Sequence, residues 1–202
     1  MTTDLIRGVR FAIVTMLLFG GAYPLVVWGV AQVAFRHQAQ GSLITRADGS
    51  IAGSELVAQP FASDAFFQSR PSAVDYNAAS TGGSNLGPTN PDHLAAVRER
   101  VAAVRKREAL QGGTIPADLV TASGGGLDPH LSPAAIEVQV PRVAAARGVS
   151  LDQVRQLVAA RTETPTLGLL GRPRLNVLQL NLALDAEFPR PAVAARQDWN
   201  HD

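Results

Sequence analysis

The chain has 202 residues, a formal charge of +1 and no cysteine. Disulfides, thiolate metal sites and cysteine nucleophiles are therefore excluded. Its positive charges are almost all arginine and are dispersed, with Lys106 the sole lysine. That balance argues against a nucleic-acid partner, which calls for a clustered basic surplus. The histidines, His37, His93, His130 and His201, have no pair at helical ligand spacing, so no sequence-local metal site can be built from them.

The first predicted element is "FAIVTMLLFGGAYPLVVWGVAQVAF", residues 11–35, without a charged residue. A helix of about 25 residues reaches roughly 37 Å, and the hydrocarbon core needs about 30 Å. A cleaved signal peptide has a shorter apolar core of about 7–15 residues, so a retained single-span anchor is the expectation. Arg10 and Arg36 bracket the run, and Tyr23 and Trp28 supply interfacial rings. Gly20, Gly21 and Pro24 lie within it, marking either a kink or a surface for a second membrane helix. Arginines flank both ends about equally, so charge orients the span weakly. The expected arrangement is a short cytoplasmic tail over residues 1–10 with the remainder exported.

Beyond the span, "SLITRADGSIAGSEL" carries an Asp48-Gly49 turn between two apolar groups and predicts a hairpin. "FFQSRPSAVDYNAASTGGSNLGPTNP", Phe66 to Pro91, has neither helical nor strand period. A loop of that length is functional or disordered, and Phe66, Phe67 and Tyr76 argue against disorder. Asn90 and Pro91 then start a helix with Leu94, Val97, Val101 and Val104 as its apolar stripe. Its arginines read as a solvated face, and Gly112-Gly113 is its expected end.

"DLVTAS" predicts a short strand before the triple glycine of "SGGGLDPH". Ser132-Pro133 starts a helix that Pro141 should kink or break and Gly148 should end. Ser150 and Gln153 form the S-x-x-Q capping box of the next helix. "LNVLQLNLALD" alternates leucine with other residues and predicts a half-buried strand, with helix as the other reading. A loose tail is expected over residues 189–202. Together these predict an α+β soluble domain over residues 36–188, about three helices and a small sheet, on a single N-terminal transmembrane helix.

The triple glycine lacks both the G-K-[ST] ending of a phosphate loop and dinucleotide-fold spacing. Ser123, Asp128 and His130 are crowded into one turn and cannot easily supply a triad's geometry. Asp128 and His130 read instead as loop-holding groups, with a partner-protein surface as the other reading.

"GGSNLGPTNP", "SGGGLDPHLSP" and "LGLLGRPRLNVLQLNLALD" in this order closely resemble the C subunit of the bacterial Kdp potassium-transporting ATPase. The resemblance runs from the anchor to about Asp185. It implies a non-catalytic accessory subunit of an inner-membrane complex, beside a channel-like potassium-translocating subunit and a P-type ATPase subunit. Potassium is handled by the translocating partner, and the C subunit supports assembly and raises the ATPase subunit's affinity for ATP. The same resemblance offers Gln153 as a nucleotide contact, although capping explains that residue without a ligand. Interface candidates are Gly20, Gly21, Ser80, Gly82, Gly83, Ser84, Asn85, Asp128 and His130. Two other classes compete: a cytoplasm-facing nucleotide-binding regulator, and an independent anchored enzyme using Asp128 and His130.

Overall fold

The structure, a computed structural model, describes residues 2–46 and 48–189. The chain divides into two units, Met1–Ala52 and Gly53–Asp202. The loose tail expected from residue 189 lies almost wholly outside the described residues.

The first unit is dominated by a 33-residue helix, Thr2–Ala34, which by length and composition can cross a membrane. Helix α1 (Thr2–Leu17) passes into a π-helical stretch, Leu18–Ala22, and then into α2 (Tyr23–Ala34). The helix therefore begins well before the apolar run, and the tail over residues 2–10 is helical. The wide turn falls on Gly20-Gly21 and is closed by the Tyr23 N–H donating to the Leu18 carbonyl. Pro24 sits just past it, where the π-helical turn already departs from the regular hydrogen-bond ladder and absorbs the missing amide. A short α3 (Arg36–Ala39) follows. Strands β1 (Leu43–Thr45) and β2 (Ile51–Ser54) form the predicted hairpin. At its turn Asp48 accepts from the Ser50 N–H and hydroxyl, and Gly49 supplies φ +83°.

The second unit packs helices around a two-stranded antiparallel sheet. Its elements are α4 (Pro91–Arg107), a 3₁₀ turn (Ala117–Leu119), β3 (His130–Leu131), α5 (Pro133–Arg147), α6 (Leu151–Arg161), β4 (Leu175–Asn176) and α7 (Val177–Glu187). His130 faces Asn176 and Leu131 faces Leu175 in the sheet. The core joins Phe66, Phe67, Ile136, Val140, Val143, Val154, Leu180 and Leu184, all buried.

Three predicted starts are realised as capped helices. Asn90 accepts from the Asp92 and His93 amides. Ser132 accepts from Ala135 N–H, and Ser150 with Gln153 forms the reciprocal box. Gly148 ends α5 in the left-handed region at φ +67°.

Several expectations are corrected. "LNVLQLNLALD" is not a strand: Val177, Leu180, Asn181 and Leu184 are buried at helical spacing, while Leu182 is only half-buried. A buried asparagine disguised that period. "DLVTAS" is a 3₁₀ turn followed by bends, and the strand comes later, at His130–Leu131. Pro141 does not break α5, which stays continuous through Arg147. The proline is exposed, so the carbonyl it deprives of a partner can face water. Helix α4 ends at Arg107, short of Gly112. Its arginines are only partly solvated, since Arg100 donates to Val120 O, Arg105 to Gly113 O and Arg107 to Ala62 O. With α7 the unit has four helices where about three were predicted.

Candidate functional site

The long aperiodic segment is ordered by side chains of α5 and α7 rather than by a strand partner. Asn181 Oδ1 accepts from the Phe67 N–H at 2.9 Å, and its Nδ2 donates to the Phe67 carbonyl at 2.9 Å. Gln139 repeats the arrangement one residue on: its Oε1 accepts from Gln68 N–H at 2.7 Å and its Nε2 donates to Gln68 O at 3.4 Å. A buried amide presents one donor and one acceptor side by side, as a neighbouring strand would. Two arginines of α5 complete the clamp. Arg142 donates to Asp64 O, Phe66 O and both oxygens of Glu108. Arg147 donates to Ala65 O and Phe188 O, pairs with Asp185 at 2.8 Å, and lies 5.1 Å from the Phe66 ring centre.

Held this way, the segment turns back through Ser72–Tyr76 and meets the triple-glycine loop. Asp75 and Tyr76 adopt φ +50° and +59°, unusual for such side chains. The Ser72 hydroxyl takes the Val74 and Tyr76 amides, and the Tyr76 hydroxyl donates to Arg70 O at 2.7 Å. Burial pushes the Tyr76 phenol up, keeping it a donor. Gly82 N–H donates to Gly125 O and Ser123 N–H to Pro71 O, so the two loops are stitched backbone to backbone. Glycine is required where they touch. A Cβ on Gly83 would stand 2.6 Å from Gly124 O, and one on Gly126 would meet Val74 and Gly82 O.

Asp128 sits at this junction. Its Oδ2 receives Arg70 Nη1 at 2.9 Å, and its Oδ1 receives the His130 N–H at 3.0 Å with His130 Nδ1 at 3.4 Å. The His130 ring bond, with the His130 amide and Arg70, outweighs burial and holds the carboxyl at about 2. An anion so stabilised is a poor proton acceptor near neutrality, and its lone pairs are spoken for. The arrangement binds two loops together and leaves no free base at Asp128.

The predicted site residues therefore fall into three places. Gly82, Gly83, Asp128 and His130 converge on one loop junction, with Ser80, Ser84 and Asn85 exposed along the same loop. Gly20 and Gly21 belong to the apolar helix of the other unit, and a side chain on either would meet nothing within 4 Å. Gln153 is exposed on α6, its Oε1 held by Ser150 N–H at 3.0 Å. Sequence reasoning missed Arg70, Gln139, Arg142, Arg147 and Asn181. For the last four the available signal was polar side chains at inward positions of helices, whereas Arg70 lies outside any helix. Among the described residues, no group of three or more His, Asp or Glu is placed to hold a metal ion.

The loop junction, the amide clamp and the apolar helix all lie within residues matched by one family model. That model, described as the K+-transporting ATPase c chain, KdpC, matches residues 5–186. The chain belongs to the KdpC family. Relatives named potassium-transporting ATPase KdpC subunit cover it almost end to end. The protein of Geobacter sulfurreducens is 52% identical over 92% of this chain and 99% of its own length. That of Polaromonas naphthalenivorans is 55% identical over 90% and 93%. That of Caulobacter vibrioides is 49% identical over 94% and 97%. The KdpC match spans both the apolar helix and the α+β unit, so the resemblance seen in the loop motifs extends to both units.

Proposed function

We propose that this chain is an accessory, non-catalytic subunit of an ATP-driven potassium uptake complex in the cell inner membrane. The single observation that carries the reading is the KdpC match across residues 5–186, which takes in the apolar helix and the soluble unit together. In this reading residues 11–35 span the bilayer once, the short N-terminus stays inside and the soluble unit lies outside. The stitched loops, Ser80–Asn85 against the triple glycine with Asp128 and His130 behind them, form a preorganised face for the channel-like potassium-translocating subunit. Gly20 and Gly21 offer a close approach to a partner's membrane helix. The subunit supports assembly and coupling, and through them raises the affinity of the P-type ATPase subunit for ATP. An outside domain acts on that affinity through its partners, so Gln153 serves as a cap and not as a ligand to nucleotide.

Topology tests the reading first. With no native cysteine in the chain, a single Ser84→Cys can be probed with a membrane-impermeant maleimide in intact and lysed cells. Labelling of intact cells is expected. Labelling only after lysis would instead favour a cytoplasm-facing nucleotide-binding regulator. Deleting Ser80–Pro88 is expected to impair complex assembly or potassium uptake, and unchanged assembly and uptake would remove the loop's role.

A further inference from the structure

Between α6 and β4 the chain runs out and back as a narrow finger. Glu163 and Arg174 pair across its base through two backbone hydrogen bonds and a 2.8 Å side-chain bond. Thr166 and Leu170 pair again near its end. At the tip Leu167, Leu169 and Leu170 are 87%, 86% and 65% exposed. Three leucines in one tight turn cannot be explained by the core of this unit. Leu167 and Gly168 take positive φ there, and the turn closes most of its own amides. Thr166 N–H donates to Leu170 O, Gly168 N–H to Pro165 O, and the Leu169 and Leu170 amides to Thr166 O. With three of the four amides of Leu167–Leu170 satisfied inside the turn, the cost of taking the tip out of water is reduced.

Beside the finger lies a cleft of about 390 Å³, lined by Thr164, Thr166, Arg172, Arg174, Ser132 and Arg70 among others. Its charges are mostly spent. Arg70 is paired with Asp128 and Arg174 with Glu163, whereas Asp118 accepts only the neutral Ser132 N–H and keeps its negative charge at the cleft wall. Arg172 is exposed and makes no hydrogen bond or ion pair among the described residues. An apolar tip with an uncommitted cation and hydroxyls at its stem matches a phospholipid, which presents acyl chain and phosphate together at one interface. A protein partner would be equally served by the leucines, but nothing in it requires a free arginine at the stem.

We infer that the Leu167–Leu170 fingertip docks into the bilayer interface, with Arg172 and the threonine hydroxyls of the adjoining cleft taking the phosphate of an anionic phospholipid. The inference rests on the finger and its cleft and does not require the potassium reading.

The test uses the full chain reconstituted alone in vesicles, with an environment-sensitive fluorophore on Leu169→Cys and, as control, on Ser84→Cys. Vesicles are phosphatidylcholine with or without phosphatidylglycerol, and a nitroxide-bearing lipid serves as quencher. In anionic vesicles the probe at position 169 is expected to be quenched and the probe at 84 not. Arg172→Gln should lower the docked-to-undocked ratio about fivefold. Leu167→Ser with Leu170→Ser should lower it more than tenfold. All three positions are exposed, and circular dichroism checks that the variants keep their helices. Inorganic phosphate is expected to leave the quenching unchanged. The inference is overturned if the probe at 169 stays aqueous in anionic vesicles, or if Arg172→Gln leaves quenching unaltered. Release by phosphate would reassign the cleft to a free anion, and shielding only after addition of other subunits would reassign the leucines to a protein contact.

Discussion

Asn181 and Phe67 are separated by 114 residues and exchange two 2.9 Å hydrogen bonds, one in each direction. One side-chain amide thus takes the place of a strand beside a segment that has no strand partner. Replacing it by an isosteric apolar group strands a buried N–H and a buried C=O. Asn181→Leu is expected to destabilise the soluble unit by about 2–5 kcal/mol. Thermal unfolding followed by circular dichroism reads the loss, and native-like stability would show that the clamp is dispensable.

The second clamp is ionic. The Arg142 and Glu108 side chains are 8% and 3% exposed, and their atoms meet at 3.0 Å. Burial pushes the Glu108 carboxyl up and the Arg142 guanidinium down, each offset by the partner's charge. Removing Arg142 would leave the buried Glu108 carboxylate and the Asp64 carbonyl without this donor, while Phe66 O keeps the Gln68 side-chain amide. Arg142→Met is expected to cost about 3–5 kcal/mol, and adding Glu108→Gln to recover part of it. A double-mutant cycle with no coupling would dismiss the pair as a structural unit.

The junction carboxylate carries a pH signature. Asp128 is held at about 2, against an ordinary value of 3.8. A lowered acid stabilises the fold fully above the ordinary value and loses that stabilisation as pH falls through about 2. Because the side chain is partly exposed, the shift is discounted to about 1 kcal/mol. Asp128→Asn should therefore be less stable than the parent by about that amount at pH 7, the two converging below pH 2. Parallel stability curves across that window would contradict the assignment.

Gln153 separates capping from ligand binding. Its side chain closes the box with Ser150, and losing it should cost about 1 kcal/mol. In the assembled complex, Gln153→Ala is expected to leave the concentration of ATP needed for half-maximal hydrolysis unchanged. A large rise in that concentration, in a folded variant, would return Gln153 to the nucleotide.

Gly83 tests the loop junction by size alone. A methyl group there would press to 2.6 Å from the Gly124 carbonyl, which is backbone and cannot swing aside. Gly83→Ala should cost about 1–3 kcal/mol and loosen both loops, read as faster amide exchange at Gly82 and Ser123. Unchanged exchange at both amides would mean the loops are not held by their contact.

Much of this was legible in the chain. Capping signals are local, so Asn90, Ser132 and Ser150 announced their helices, and an uncharged run of 25 residues announced the long apolar helix. The α7 segment was misread because its leucines fit both periods, and the residue that breaks the tie, Asn181, is polar for a reason lying far away in sequence. Of the two outcomes expected at Pro141, a kink or a break, the break does not occur, because a proline's cost depends on whether the carbonyl it orphans reaches water. The loop junction was half-visible. Its glycines and Asp128 stood out, yet Arg70 is one arginine among many until the fold brings it to 2.9 Å from Asp128.

The amide clamp also sets an order of events in the life of the chain. Synthesis proceeds at about 5–20 residues per second, so Asn181 emerges roughly ten seconds after Phe67. Throughout that interval the two phenylalanines and the segment behind them have no seat, since one of their holders has not been made. The soluble unit can settle only once α7 arrives. A chain cut between the helix of residues 2–34 and α7 would therefore keep that helix while its remaining length stays an unsettled, protease-sensitive coil.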